Sequence, residues 1–147
     1  MSPLELEKYL HDHIPLSRAM EVGVVQSQPE CVILSAPLLP NINHRDTVFG
    51  GSASAMAILA AWSLLHTRLA SEGIASRLVI QRNNMSYERP IDGTFTAEAT
   101  SPNADAWSRF LSTLKRRGKA RIMVTSVLNF GGEIAGRLEG EFVALGA

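Results

Sequence analysis

Cys31 is the only cysteine in the 147-residue chain, so no disulfide can close within it and a cysteine-based metal cluster is excluded. In the apolar run CVILSA it reads as a buried, inert thiol rather than a nucleophile. Net charge is missing too. Lys plus Arg number 14 and Asp plus Glu number 14, leaving no overall field to steer the protein toward nucleic acid or an anionic membrane; any basic site must be local. The longest apolar stretch, Ala55 to Trp62, falls far below the ~18 residues of a membrane span. The opening MSPLELEKYLHDHIPL carries acidic residues and lacks the apolar segment of a signal peptide. These absences predict a soluble, cytoplasmic protein with no nucleic-acid or membrane partner. No repeat or low-complexity linker divides the chain, and its 46% apolar content is ample for one core, which predicts a single domain over residues 1–147.

What is present is ordered. Leu4, Leu6, Leu10 and Ile14 stand among charges, with Ser2 placed as a cap and Pro3 in a first turn, predicting a short surface helix over Pro3 to His13. Met20 to Gln26 and Glu30 to Pro37 read as a strand hairpin, and Leu38 to Gly51 as a structured loop. From Ser52 to Ser71 there is no proline, glycine or carboxylate, and apolar residues occupy nearly every side. A helix of that kind is normally buried, and Gly73 is placed to end it. Strands follow over Arg77 to Tyr87 and Thr94 to Thr100. A short amphipathic helix is predicted over Pro102 to Leu114, ended by the basic turn Lys115 to Lys119, and then a hairpin turning at Asn129 to Gly132.

One helix cannot cover both faces of about six strands, so the sheet must curl around it or meet a second protein. A curled antiparallel sheet around one long helix is the α+β hotdog arrangement. The stretch NHRDTVFGGS, Asn43 to Ser52, resembles the loop of hotdog acyl-CoA thioesterases, where an asparagine stands six residues before a His-Gly-Gly motif that opens the central helix. Asn43, Gly50 and Gly51 match it; Phe49 replaces the histidine. Tyr87 and Pro90 resemble that family's Tyr-x-x-Pro turn, and GEFVAL its last strand. FGGSASAMAILAAW is most similar to the thioesterase-like hotdog domain that some bacterial proteins carry after an acetyltransferase domain. The resemblance implies a homodimer, with a tetramer left open, acting on an acyl-CoA or acyl-carrier thioester. Coenzyme A would be part of the substrate, and no separate cofactor is expected.

Thioester hydrolysis needs donors for the developing oxyanion, a group that activates water, and a channel for the substrate arm. The amides of Gly50 and Gly51 at a helix N-terminus suit the first task, although such glycines can also simply permit a tight turn. Asn43 could hold the loop, orient water or bond substrate. The resemblance implies a helix carboxylate where this sequence has Ile58. Asp46, the only carboxylate between Glu30 and Glu72, is then the local candidate base, with a backbone-bonding loop role as the alternative. Ser52 and Ser54 could position water or merely pack. Arg116, Arg117 and Lys119 are candidates for coenzyme phosphates, and Arg82 and Asn84 for a cleft shared between subunits; solvated surface is the alternative for each. Neither His44 with Asp46 nor Ser63 with His66 completes a triad, and His66 is expected to complement the helix dipole. His11 and His13 do not share a helix face, so no metal site is expected. Three functions compete: a thioesterase, a non-catalytic acyl-thioester binding module, and a hotdog dehydratase or hydratase, which would need a histidine and carboxylate pair that the sequence does not offer.

Overall fold

The computed structural model describes residues 1–146. Helix α1 spans Pro3–His13 and opens on a reciprocal cap: the Ser2 hydroxyl accepts the Glu5 amide, and the Glu5 carboxylate accepts the Ser2 amide. It is not a surface helix throughout, because Leu6 and Leu10 are fully buried in the core. A second helix, α2 (Pro15–Ala19), takes the chain up to the point where the first strand was expected. Pro15 supplies its first helical position, where a missing N–H costs nothing. Strand β1 (Gly23–Gln28) then pairs antiparallel with β2 (Cys31–Ala36). Cys31 is half-buried, and burial, aided by Glu98 and Glu30, pushes its thiol up.

Helix α3 (Gly50–Ser71) is the axis of the molecule. Met56, Ala57, Ala60, Ala61, Leu64 and Leu65 on it are fully buried, as expected for a helix apolar on nearly every side. Strands β3 (Ser76–Tyr87), β4 (Phe95–Thr100), β5 (Lys119–Phe130) and β6 (Glu133–Gly146) complete one six-stranded sheet in the order β1-β2-β4-β5-β6-β3. Every neighbouring pair is antiparallel. Ala120, Ile122, Val124, Ser126 and Leu128 alternate inward along β5, against exposed Arg121, Met123 and Thr125. The sheet therefore lays one apolar face on α3 and curls around it, which is the hotdog fold. The β5–β6 hairpin turns at Gly131 and Gly132, whose φ values of 60° and 79° meet the positive-φ demand of a tight two-residue turn.

Helix α4 (Ala104–Arg117) buries Trp107, Phe110 and Leu114. It is longer than the sequence suggests. Lys115, Arg116 and Arg117 form its last turn rather than a loop, where their charges complement the exposed carbonyls before Gly118 caps the helix in the left-handed region. The Arg68 guanidinium, from the end of α3, lies 4.1 Å from the Trp107 ring centroid and donates to the Ser101 hydroxyl.

Candidate active site

The loop ahead of α3 is tied by two asparagines. Buried Asn41 donates through Nδ2 to the carbonyls of Met20 at 3.0 Å and Pro37 at 2.8 Å. Asn43 accepts the amides of Arg45 at 2.8 Å and Thr47 at 3.1 Å, and its Nδ2 donates to the Thr47 hydroxyl at 2.9 Å. The Asn43 side chain thus holds a turn. Within that turn Asp46 adopts φ 64° and is exposed. Beyond it the amide of Val48 reaches the Ile91 carbonyl and that of Phe49 the Asn41 carbonyl, both at 2.8 Å. The chain therefore enters α3 at a fixed angle.

No side chain caps α3. The Ala53 amide closes the first helical bond on the Phe49 carbonyl at 2.9 Å, and the amides of Gly50, Gly51 and Ser52 have no partner among the described residues. This end carries the positive pole of a 22-residue helix. It opens on a cleft of ≈ 380 Å³ lined by Val48, Gly50, Ala53, Tyr87, Glu88 and Pro90, among others. The two glycines differ. A Cβ on Gly50 would project toward Tyr87, 3.6 Å from its Cε1, whereas one on Gly51 would stand 2.4 Å from Cε2 of Phe49. Gly50 faces the cleft; Gly51 leaves room for the Phe49 ring.

The other sequence candidates are dispersed. The Ser54 hydroxyl donates to the Gly51 carbonyl at 3.1 Å, and Ser52 is half-buried on the first turn of α3. Neither serine nor Asp46 lines the cleft. Arg82 and Asn84 lie opposite Glu141 and Glu139 in the β3–β6 register. They therefore share the outer sheet face, while Asn83, Met85 and Tyr87 face the helix side with Gly140, Leu138 and Gly136. Arg116, Arg117 and Lys119 lie toward the other end of α3, because Lys119 pairs with Leu145 beside Ser76 and Gly146, just after that helix ends. His66 does not serve the helix dipole. Its ring stacks between Trp62 (centroids 4.7 Å apart) and Tyr9 (4.5 Å), with His13 next on Tyr9 at 4.1 Å. Burial, then the neighbouring His13, holds the His66 imidazole below its ordinary value. Ile58 joins Ile14, Leu16, Met20, Ala55 and Trp62 around an apolar groove of ≈ 280 Å³ on another side of α3.

Sequence reading missed two charged residues at the cleft, Glu88 and Arg89. Among the described residues Glu88 is the only carboxylate-bearing one lining it. The Glu88 and Arg89 amides both donate to the Ala135 carbonyl, at 2.9 and 3.1 Å, and Glu88 Oε2 accepts from Arg137 Nε at 2.9 Å. The Tyr-x-x-Pro turn marked the segment, but the ion pair depends on the β3–β6 register and has no local signal.

The family described as "Putative thioesterase (yiiD_Cterm)" matches residues 4–146. The chain belongs to that family. As a member of this thioesterase family it is also similar to solved hotdog structures. A Chlorobaculum tepidum protein of unknown function superposes with a TM-score of 0.94 at 28% identity, covering 99% of this chain and 94% of that one. A Shewanella oneidensis protein described as a "putative thioesterase" gives 0.87 at 23% identity, covering 97% and 96%. A Pseudomonas aeruginosa probable thioesterase gives 0.82 at 21%, covering 99% and 97%. At the lower identities the likeness is one of fold; the thioesterase-like character comes from the family. Among the described residues no helix is long and apolar enough to cross a membrane.

Proposed function

We propose that this family member hydrolyses an acyl-CoA or acyl-carrier thioester, with the acyl carbonyl held against the amides at the start of α3. The observation that carries this reading is the uncapped N-terminus of α3 opening on the Gly50 cleft. Its unpaired N–H groups and the helix dipole both favour negative charge, which appears on the carbonyl oxygen only as water adds. One such donor, correctly aimed, is worth about 2.7–4 kcal/mol in the transition state. The thioester itself is the substrate, and the reaction as proposed draws on no separate cofactor.

The working unit in this reading is a homodimer in the cytoplasm, paired through β3. Among the described residues that strand bonds only to β6 and leaves its other edge, along Ser76–Tyr87, without a strand partner. A long open edge of this kind favours pairing with a second copy. Arg82 and Asn84 would then stand near the join, and Arg116, Arg117 and Lys119 of either copy are the candidate contacts for coenzyme phosphates.

The test is a panel of acyl-CoA esters with thiol release followed at several chain lengths. Turnover well above the uncatalysed rate supports hydrolysis. Binding of several esters without turnover would instead support a binding module, the reading favoured by apolar Ile58 on the open side of α3.

A further inference from the structure

We propose that the Tyr87 hydroxyl is a second donor to the acyl carbonyl, meeting it from the sheet while the amides of α3 hold it from the helix; the inference rests on the thioesterase reading. Tyr87 ends β3 on the face turned toward α3, and its partner in the register is Gly136, which sets no side chain beside it. The ring reaches across the cleft to the helix. A Cβ on Gly50 would lie 3.6 Å from Cε1, 3.9 Å from Cζ and 4.0 Å from Oη, so the phenol end of the ring, not its stem, stands at Gly50. A Cβ is about 2.5 Å from its own amide nitrogen at standard bond lengths, which puts Oη within about 6.5 Å of the Gly50 nitrogen. One oxygen accepting from both donors at ordinary lengths bridges up to about 6 Å. The Tyr87 side chain is exposed, and the hydrogen bonds beside it run from Ser86 and Arg137 to Glu88, leaving its hydroxyl without a partner among the described residues. A small turn of the ring therefore completes the pair.

The other polar side chains of the cleft are engaged away from this point. Glu88 Oε2 accepts from Arg137 Nε, and Arg89 Nη1 lies 2.9 Å from Glu133 Oε2. Phe49 flanks the glycine pair at Gly51 and has no group to donate. Among the residues placed at Gly50, Tyr87 is thus the side chain with an O–H to give. As water adds to the thioester carbon, charge gathers on the carbonyl oxygen, and a hydrogen bond from the phenol strengthens as that charge grows. The proton stays on Tyr87 throughout, so no covalent bond to the residue forms or breaks.

The experiment compares wild type with Tyr87→Phe on the acyl-CoA ester that wild type hydrolyses fastest. The change removes one O–H and keeps the ring beside Gly50. Loss of one oxyanion donor lowers kcat by about 10²–10³-fold, and that is the fall expected here. kcat/KM should fall by the same factor while KM changes by less than about threefold, the pattern of an interaction made only in the transition state. The thermal midpoint should stay within about 2 °C, because the hydroxyl has no protein partner to lose. A KM raised beyond about threefold at unchanged kcat overturns the assignment, since it shows binding that is equal in ground and transition states. A fall in kcat that comes with a midpoint lowered by several degrees also overturns it, in favour of a structural role. Kinetics within about threefold of wild type overturn it too, and leave the thioesterase reading intact; a wild type that turns over no ester overturns both.

Discussion

Replacing Gly50 with alanine should separate stability from activity. Gly50 opens α3 and is absent from the positive-φ glycines, so alanine can adopt its backbone. Its Cβ would lie 3.6 Å from Tyr87 Cε1, an ordinary contact. Glycine-to-alanine changes at compatible positions stabilise by about 0.4–1 kcal/mol, chiefly by restricting the unfolded chain. For a chain of this length that raises the midpoint by about 1–4 °C. The same methyl group would occupy the space where a carbonyl oxygen must approach the helix amides. Losing one oxyanion donor costs about 10²–10³ in kcat; here the donor remains but is obstructed, so kcat/KM should fall by at least about tenfold. Calorimetry and thiol-release kinetics on one preparation read both effects. Wild-type kcat/KM in a stabilised Gly50→Ala protein would refute the placement of the carbonyl in this cleft, and a lowered midpoint would refute the steric argument.

Gly51 should behave differently, because its Cβ would collide with the Phe49 ring rather than enter the cleft. In denaturant titrations Gly51→Ala should be more favourable by about 0.5–3 kcal/mol in a Phe49→Ala background than alone; equal effects in both backgrounds would remove the collision from the account. Trp62 donates from Nε1 to the Leu78 carbonyl at 2.9 Å and stacks on His66. Trp62→Phe should therefore cost about 0.5–1.5 kcal/mol, and Trp62→Ala about 3 kcal/mol through the added loss of packing, both read by urea unfolding at one fixed protein concentration. His66 gives a pH dependence of definite sign. Its folded value is depressed by burial and by His13, so the unfolded chain binds its proton more readily. Its contribution is fully present above the ordinary value of about 6.5 and is lost as pH falls below that value. His66→Phe should shrink the loss of stability between neutral pH and the acid side, and an identical slope in the variant would remove His66 as its source.

Helix α3 was legible because its apolar residues fall on nearly every side with no breaker until Gly73, a pattern that demands full burial. The β5 and β6 alternation was legible for the same kind of reason: one face is covered and the other is not. Helix α2 escaped notice because Pro15–Ala19 is too short to show a period. The end of α4 was misread because Lys115 to Arg117 have the composition of a solvated turn, and only the left-handed Gly118 beyond them shows that the helix continues through them. At the site, the glycine pair and the ordered loop were visible in local spacing, whereas the separate duties of Gly50 and Gly51 depend on the rings of Tyr87 and Phe49. His66 was assigned to the helix dipole because its partners Tyr9 and His13 come from α1. Glu88 was passed over for the same reason, since nothing local announces that β6 will bring Arg137 to it.

The arrangement also constrains how a long substrate could be held. The start of α3 and the basic end of α4 lie toward opposite ends of a helix that spans roughly 33 Å at the usual rise per residue. Tyr87, by the Gly50 cleft, pairs with Gly136 at one end of the β3–β6 ladder; Ser76 pairs with Gly146 at the other, beside Gly118. A single copy would therefore have to carry a substrate along the length of the molecule for Arg116, Arg117 and Lys119 to meet its phosphates while Gly50 meets its carbonyl. Pairing two copies through β3 changes that constraint, because an antiparallel join sets the Ser76 end of one strand toward the Tyr87 end of the other. The basic end of one protomer would then lie on the same side as the cleft of its neighbour. In the proposed scheme, phosphate contacts from the α4 basic cluster and carbonyl activation at Gly50 would thus be more readily reconciled across two chains than within one.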